Sequence, residues 1–178
     1  METYKQGMLY TIEDIYALPD GERAELIDGQ LYDMAPPSTK HQRILSELHY
    51  QIKAYISAHG GKCEVFPAPF AVFLNQENNK NYVEPDLSMI CDPDKLDDRG
   101  CQGAPDWVIE IVSPGSKSMD YYKKLFLYRT AGVREYWVVD PDRTLVTVYH
   151  FEQDTMVEYP FGEDIAVGIY GDLSLQIA

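Results

Sequence analysis

With 178 residues, 45% of them hydrophobic, the chain holds enough apolar material for one ordinary core and needs no disulfide framework to fold. No stretch approaches the roughly 20 apolar residues of a bilayer span, and the opening METYKQGMLYTIEDI lacks the basic start and apolar run of a secretory signal, so a cytoplasmic protein with no membrane contact is expected. A formal charge of -14 excludes broad, nonspecific attraction to nucleic acid, because phosphate is matched by Lys and Arg.

Thr11 with Asp14 has the pattern of a capping box and opens a short helix that ends before Pro19. Asp28-Gly29 between apolar flanks predicts a tight hairpin joining strands Ala24 to Ile27 and Gln30 to Met34. From Thr39 to His59, Ile44, Leu45, Leu48, Ile52, Tyr55 and Ile56 recur at helical spacing, and Gly60-Gly61 supplies a stop. CEVFPAPFAVFLN reads as two strands broken around Pro67 and Pro69, QENNKN as a solvated turn, and YVEPDLSMIC as one further strand. Asp92 to Gly103 is expected to be a loop. DWVIEIVS is a buried strand, Ser118 caps a helix reaching Ala131, and Gly132 ends it. EYWVVD and LVTVYHF form a hairpin across Pro141-Asp142-Arg143, and the tail is weaker β. This order predicts an α/β fold, a mixed β-sheet flanked by helices, in a single domain spanning residues 1–178.

The three cysteines, Cys63, Cys91 and Cys101, form no close pairing and are expected as reduced thiols. His41, His49, His59 and His150 lack the spacing that brings two imidazoles to one metal. Five basic residues, Lys117, Lys123, Lys124, Arg129 and Arg134, follow Glu110 closely and predict a local field opposite in sign to that of the whole chain.

Glu110 is the chemical puzzle, since an ionised carboxylate within an apolar strand has to be neutral, paired or bound to a cation. Alternation sets Trp107, Ile109 and Ile111 on one face, and Asp106, Val108, Glu110 and Val112 on the other. It also groups Glu84, Asp86 and Ser88. Asp86 and Glu110 on neighbouring strands would suit Mg2+, with Mn2+ as a substitute, because that ion takes oxygen ligands and is often held by one or two carboxylates plus phosphate. Lys124 shares a helical stripe with Asp120 and Tyr128, where an amine balances charge building on phosphorus; alternatively, Asp120 and Lys124 form an ordinary surface pair.

VEPDLSMI, PDWVIEIVSPGS and DYYKKLFLYRTAGVREYWVVDP, with ELIDGQLYDM and the helix near His41, resemble the "putative restriction endonuclease-like" family within the PD-(D/E)XK nuclease superfamily, over almost the whole chain. The resemblance implies a restriction endonuclease-like core with an N-terminal helix and hairpin. It also implies Mg2+-dependent endonucleolytic hydrolysis of DNA by metal-activated water. It assigns Asp86, Glu110 and the Ile111 carbonyl to the metal, Lys124 to the activating amine and Glu25 to an additional acid orienting water. The superfamily commonly carries its lysine two positions after the second acid, where this chain has Val112; Lys124, from the following helix, takes the role instead. His41, Lys123 and Tyr128 are the expected substrate contacts. A homodimer is expected, since cutting both strands takes two sites. Two alternatives stay open: a nuclease-like binding or assembly module without catalysis, and a carboxylate pair acting on a glycoside.

Overall fold

The computed structural model describes residues 8–75 and 78–178, so Gln76 and Glu77 of the expected QENNKN turn, and the first residues of the opening segment, lie outside it. In chain order, the first half comprises α1 (Ile12–Tyr16), β1 (Ala24–Ile27), β2 (Gln30–Asp33), α2 (Thr39–His59), β3 (Glu64–Pro67), β4 (Val72–Phe73), β5 (Tyr82–Val83) and β6 (Leu87–Ile90). A 3₁₀ turn (Pro93–Lys95), β7 (Leu96–Asp97), β8 (Gly100–Gln102) and β9 (Trp107–Ile111) follow. A π-helical stretch (Met119–Lys124) runs into α3 (Leu125–Ala131), and β10 (Glu135–Asp140), β11 (Leu145–His150), β12 (Thr155–Pro160), β13 (Ile165–Ala166) and β14 (Ser174–Leu175) complete the described chain.

Two six-stranded sheets organise the fold, in the orders β12-β11-β10-β9-β6-β3 and β2-β1-β5-β4-β8-β7. In the first, β9 lies parallel to β10 and antiparallel to β6. Every residue of β9 and β10 is buried, as central strands covered on both faces require. On one face, Trp107, Ile109 and Ile111 pack with Ile44, Leu45, Leu48 and Ile52 of α2. On the other, Val108 and Val112 pack with Leu127 and Tyr128 of α3 and with Val72 and Val83 of the second sheet. Glu110 therefore points into a second apolar cluster and away from solvent.

The hairpin forms as expected: Asp28 and Gly29 take φ of 49° and 75°, the positive values that a two-residue turn of this twist demands. Thr11 donates its backbone N–H to Asp14 Oδ2 at 2.7 Å, and α1 ends at Tyr16. Gly132 closes α3 in the left-handed conformation.

Four expectations need correction. YVEPDLSMIC is two strands in different sheets: Pro85 lacks an N–H for a continuous ladder, and the chain leaves β5 and enters β6 across Glu84 to Asp86. The segment Asp92 to Gly103 carries the 3₁₀ turn and the β7–β8 hairpin, with Asp97 Oδ1 accepting from the N–H groups of Arg99 and Gly100 to make the turn. The helix after Ser118 starts as a π-helix rather than an α-helix. Cys63 and Cys91 form a disulfide, since the antiparallel register of β3 and β6, with Glu64 opposite Ile90, brings them face to face at the strand ends; Cys101 alone is free and buried.

Candidate active site

β6 and β9 pair with Leu87 opposite Ile109, so the next pair outward is Asp86 and Glu110. The Asp86 N–H donates to Glu110 Oε2 at 3.4 Å, and the Ile111 N–H donates to Asp86 Oδ2 at 2.7 Å. The two expected acids are therefore brought together by ladder register. Their surroundings differ: the Asp86 side chain is 17% exposed and that of Glu110 is 5%, so access to the pair is from the Asp86 side.

Behind Glu110 lies Lys124, also buried. Its ammonium donates to Glu110 Oε1 at 2.9 Å, lies 2.8 Å from Glu25 Oε2 and is 3.8 Å from Asp120 Oδ1. The surface-pair reading of Asp120 and Lys124 is thereby corrected: both are interior groups. Tyr128 donates its hydroxyl to the same Glu110 oxygen at 2.6 Å and is wholly buried. Expected beside substrate, it instead orients a carboxylate from within. Glu25, expected to orient water, spends its oxygens on Lys124 and on the Glu84 N–H at 3.1 Å.

Electrostatics follow from three carboxylates around one ammonium in a buried site. Burial pushes the Glu110 carboxyl up to about 8; Lys124 pulls it down, and Asp120, Asp86 and Glu25 add to the rise. Burial alone would lower Lys124, but Glu110, Glu25 and Asp120 outweigh it and hold the ammonium well above its usual range. Desolvation likewise raises Asp120, against the pull of Lys124.

His41 enters from the first turn of α2, where Ser38 caps the helix through the His41 N–H. Its Nε2 lies 3.0 Å from Asp86 Oδ2, and Nδ1 is buried without a partner among the described residues. An expected phosphate contact thus touches the first acid itself. Ser38 three residues before His41 was the available signal for the helix start, but nothing in the sequence tied that turn to Asp86. Glu84 separates from Asp86 and Ser88, because the chain passes between sheets there. It accepts from Arg23 and, at 2.7 Å, from the Tyr82 hydroxyl.

The expected cationic patch is mostly neutralised. Lys117 sits 3.4 and 3.3 Å from Asp140 and Asp142, Arg129 pairs with Asp154, and Arg134 pairs with Asp106 and Glu152. Lys123 differs: its amine caps the Tyr32 ring at 4.6 Å and donates to the Tyr32 hydroxyl.

Among the described residues, no group of three or more His, Cys, Asp and Glu side chains is arranged to hold a metal ion. Asp86 and Glu110 nevertheless offer hard oxygens on adjoining strands. Among the described residues, the hydrogen bonds to the Asp86 carboxylate fall on Oδ2, while Glu110 Oε2 faces Asp86. That donor set fits Mg2+, which needs few carboxylates and keeps several waters.

Residues 12–178 match the family Uma2, "Putative restriction endonuclease". An uncharacterized protein, slr1290, of Synechocystis sp. (strain ATCC 27184 / PCC 6803 / Kazusa) is 28% identical over 134 residues, 75% of this chain and 68% of that protein. A second uncharacterized protein of that strain, sll1609, is 24% identical over 122 residues, 67% of each chain. A crystal structure described as a "putative nuclease belonging to DUF820" from Anabaena variabilis ATCC 29413 shares the fold, with a TM-score of 0.73 and 24% identity over 93% of this chain and 94% of that one. The mixed α/β architecture is thus that of a restriction endonuclease-like protein.

Proposed function

The chain belongs to the Uma2 family of restriction endonuclease-like proteins, and from that premise we propose that it hydrolyses DNA phosphodiester bonds with Mg2+ or Mn2+ as cofactor. The observation that carries this reading is the meeting of Asp86 and Glu110 across β6 and β9, with Lys124 on the inner Glu110 oxygen. Asp86, Glu110 and the Ile111 carbonyl are the donors that would hold the ion. A divalent ion there supplies Lewis-acid polarisation of phosphoryl oxygen and lowers the pKa of water.

The remaining work belongs to the protein. Lys124 keeps Glu110 toward its charged form, and Glu25 fixes Lys124 from the far side. Tyr128 sets the rotation of the Glu110 carboxylate, while His41 and the Ile111 N–H hold Asp86. Lys124, at 5% exposure, acts on charge through Glu110 rather than by touching phosphate. Two copies would be needed to cut both strands, which favours a homodimer.

The direct test is incubation of supercoiled plasmid and duplex oligonucleotides with purified protein and Mg2+ or Mn2+, beside Asp86→Ala and Glu110→Ala. Nicking or linearisation that both substitutions abolish supports hydrolysis. Intact substrate across pH and salt, with the protein still folded, removes it. A second reading, a nuclease-like module without catalysis, is favoured by the ammonium that already answers Glu110. Calorimetry separates the two: Mg2+ binding lost in Glu110→Ala supports a metal site, and no binding by the unaltered protein supports the module.

A further inference from the structure

Glu25 and Lys124 meet in the interior, and their near neighbours in sequence, Ile27 and Lys123, both border open space. There the β1–β2 hairpin and the helix enclose a cleft of about 400 Å³, walled by Ile27, Tyr32, Tyr122, Lys123 and Phe126. Tyr122 and Phe126, one turn apart, are 73% and 69% exposed. Two large rings left in water beside a concavity serve no core, and an exposed apolar patch of that kind marks a binding surface.

The chemistry of the rim narrows the occupant. Lys123 rests on a neutral partner, Tyr32, so its charge remains available to an anion, whereas Lys117, Arg129 and Arg134 lie against carboxylates. Tyr122 also borders a second cleft of about 390 Å³ that includes Lys117 and Arg143. Lys117 and Arg143 are engaged there by Asp140, Asp142 and Glu158, so the cation that joins the Tyr122 and Phe126 rings is Lys123. Single-stranded nucleic acid is bound in this way, with bases stacked on aromatic side chains and phosphates against cations. A duplex hides its base faces and gains nothing from the rings. Asp28 lines the cleft at the hairpin turn, where its carboxylate would repel phosphate, so the backbone of a bound strand would favour the Lys123 side.

We propose that this face docks an unpaired nucleic-acid strand, with successive bases on Tyr122 and Phe126 and a phosphate at Lys123. The inference rests on the phosphodiesterase reading only in naming the strand delivered to that site, and docking itself needs no metal.

The probe is a single-stranded oligonucleotide carrying 2-aminopurine, titrated with the intact 178-residue chain in chelator at about 150 mM salt, where exposed charges act over only about 8 Å. Stacking predicts fluorescence quenching on binding and weaker binding of the matching duplex. Tyr122→Ala and Phe126→Ala should each lower affinity about tenfold, and Lys123→Ala should flatten the salt dependence by close to one phosphate contact. Equal affinity for single strand and duplex overturns the proposal, as does affinity unchanged by both ring substitutions. It is also overturned if ring removal dissolves a protein dimer while leaving DNA binding intact. Parallel cleavage assays with Mg2+ separate the two readings: ring-dependent quenching without cleavage removes hydrolysis and keeps docking, and cleavage together with affinity that ring removal leaves unchanged removes docking and keeps hydrolysis. Both rings are largely solvent-exposed, so circular dichroism should find the variants folded.

Discussion

Lys124→Met tests the central electrostatic relation, because methionine keeps an apolar stem of similar reach and deletes the ammonium. Glu25, Glu110 and Asp120 would then lie buried with no cation among them. Removing one partner of a buried ion pair costs about 3–5 kcal/mol. A chain of 178 residues unfolds with an entropy of about 0.37 kcal/mol/K, so the melting temperature should fall by about 8–13 °C. Urea titration and calorimetry at pH 8 measure both quantities. The double variant Glu110→Gln with Lys124→Met should recover part of the loss, since it removes a carboxyl that would otherwise stay buried as an unpaired charge or be forced to take up a proton. A loss under about 1 kcal/mol at pH 8 would refute the reasoning, because it is what an exposed ion pair contributes.

Glu110 also sets a pH dependence of stability. Its folded value of about 8 lies above the ordinary 4.5, so folding favours the protonated form; that contribution is whole below 4.5 and is lost as pH rises through about 8. Relative to Glu110→Gln, which cannot ionise there, the unaltered protein should lose stability across that window, and parallel urea-midpoint curves would contradict this. Thiol titration of denatured, non-reduced protein should count one reactive thiol, Cys101, with two more after reduction; three thiols before reduction would show that Cys63 and Cys91 do not pair.

The sequence disclosed what depends on local chemistry and strict periodicity. Asp28-Gly29 could adopt the positive φ of a two-residue turn, and the alternation through β9 correctly separated Glu110 from Trp107 and Ile109. Asp86 and Glu110 were legible as a pair because one register step beyond Leu87 and Ile109 joins them. What stayed hidden depends on distant segments meeting. Alternation through YVEPDLSMI assumed one strand, but the turn at Pro85 sends Glu84 to Arg23 and leaves Asp86 with Glu110. Charge counting after Glu110 missed Asp140, Asp154 and Glu152, which arrive from other elements and cancel most of the cationic patch. The pairing of Cys63 with Cys91 needed the β3–β6 register, and the contact of His41 with Asp86 needed the docking of α2.

The burial of Lys124 changes what that residue can do. An amine meant to touch phosphate would need an open path, and this one is enclosed by Glu25, Glu110 and Asp120. Its effect must pass through Glu110, whose inner oxygen it shares with Tyr128 while the outer oxygen faces Asp86. Lys124 opposes the upward push of burial on Glu110, so it favours the anionic carboxylate at lower pH than burial would permit. At the proposed metal site, binding of a divalent ion would displace whatever proton Glu110 retains. Mg2+ affinity, read by calorimetry, should therefore rise with pH up to about 8 in the unaltered protein. In Lys124→Met, Glu110 should hold its proton to higher pH, so affinity should be lower at pH 7 and recover as pH increases, with more protons released per ion bound. Full affinity in Lys124→Met at pH 7, with no added proton release, would mean that Lys124 does not govern the charge on Glu110 and that its role lies elsewhere.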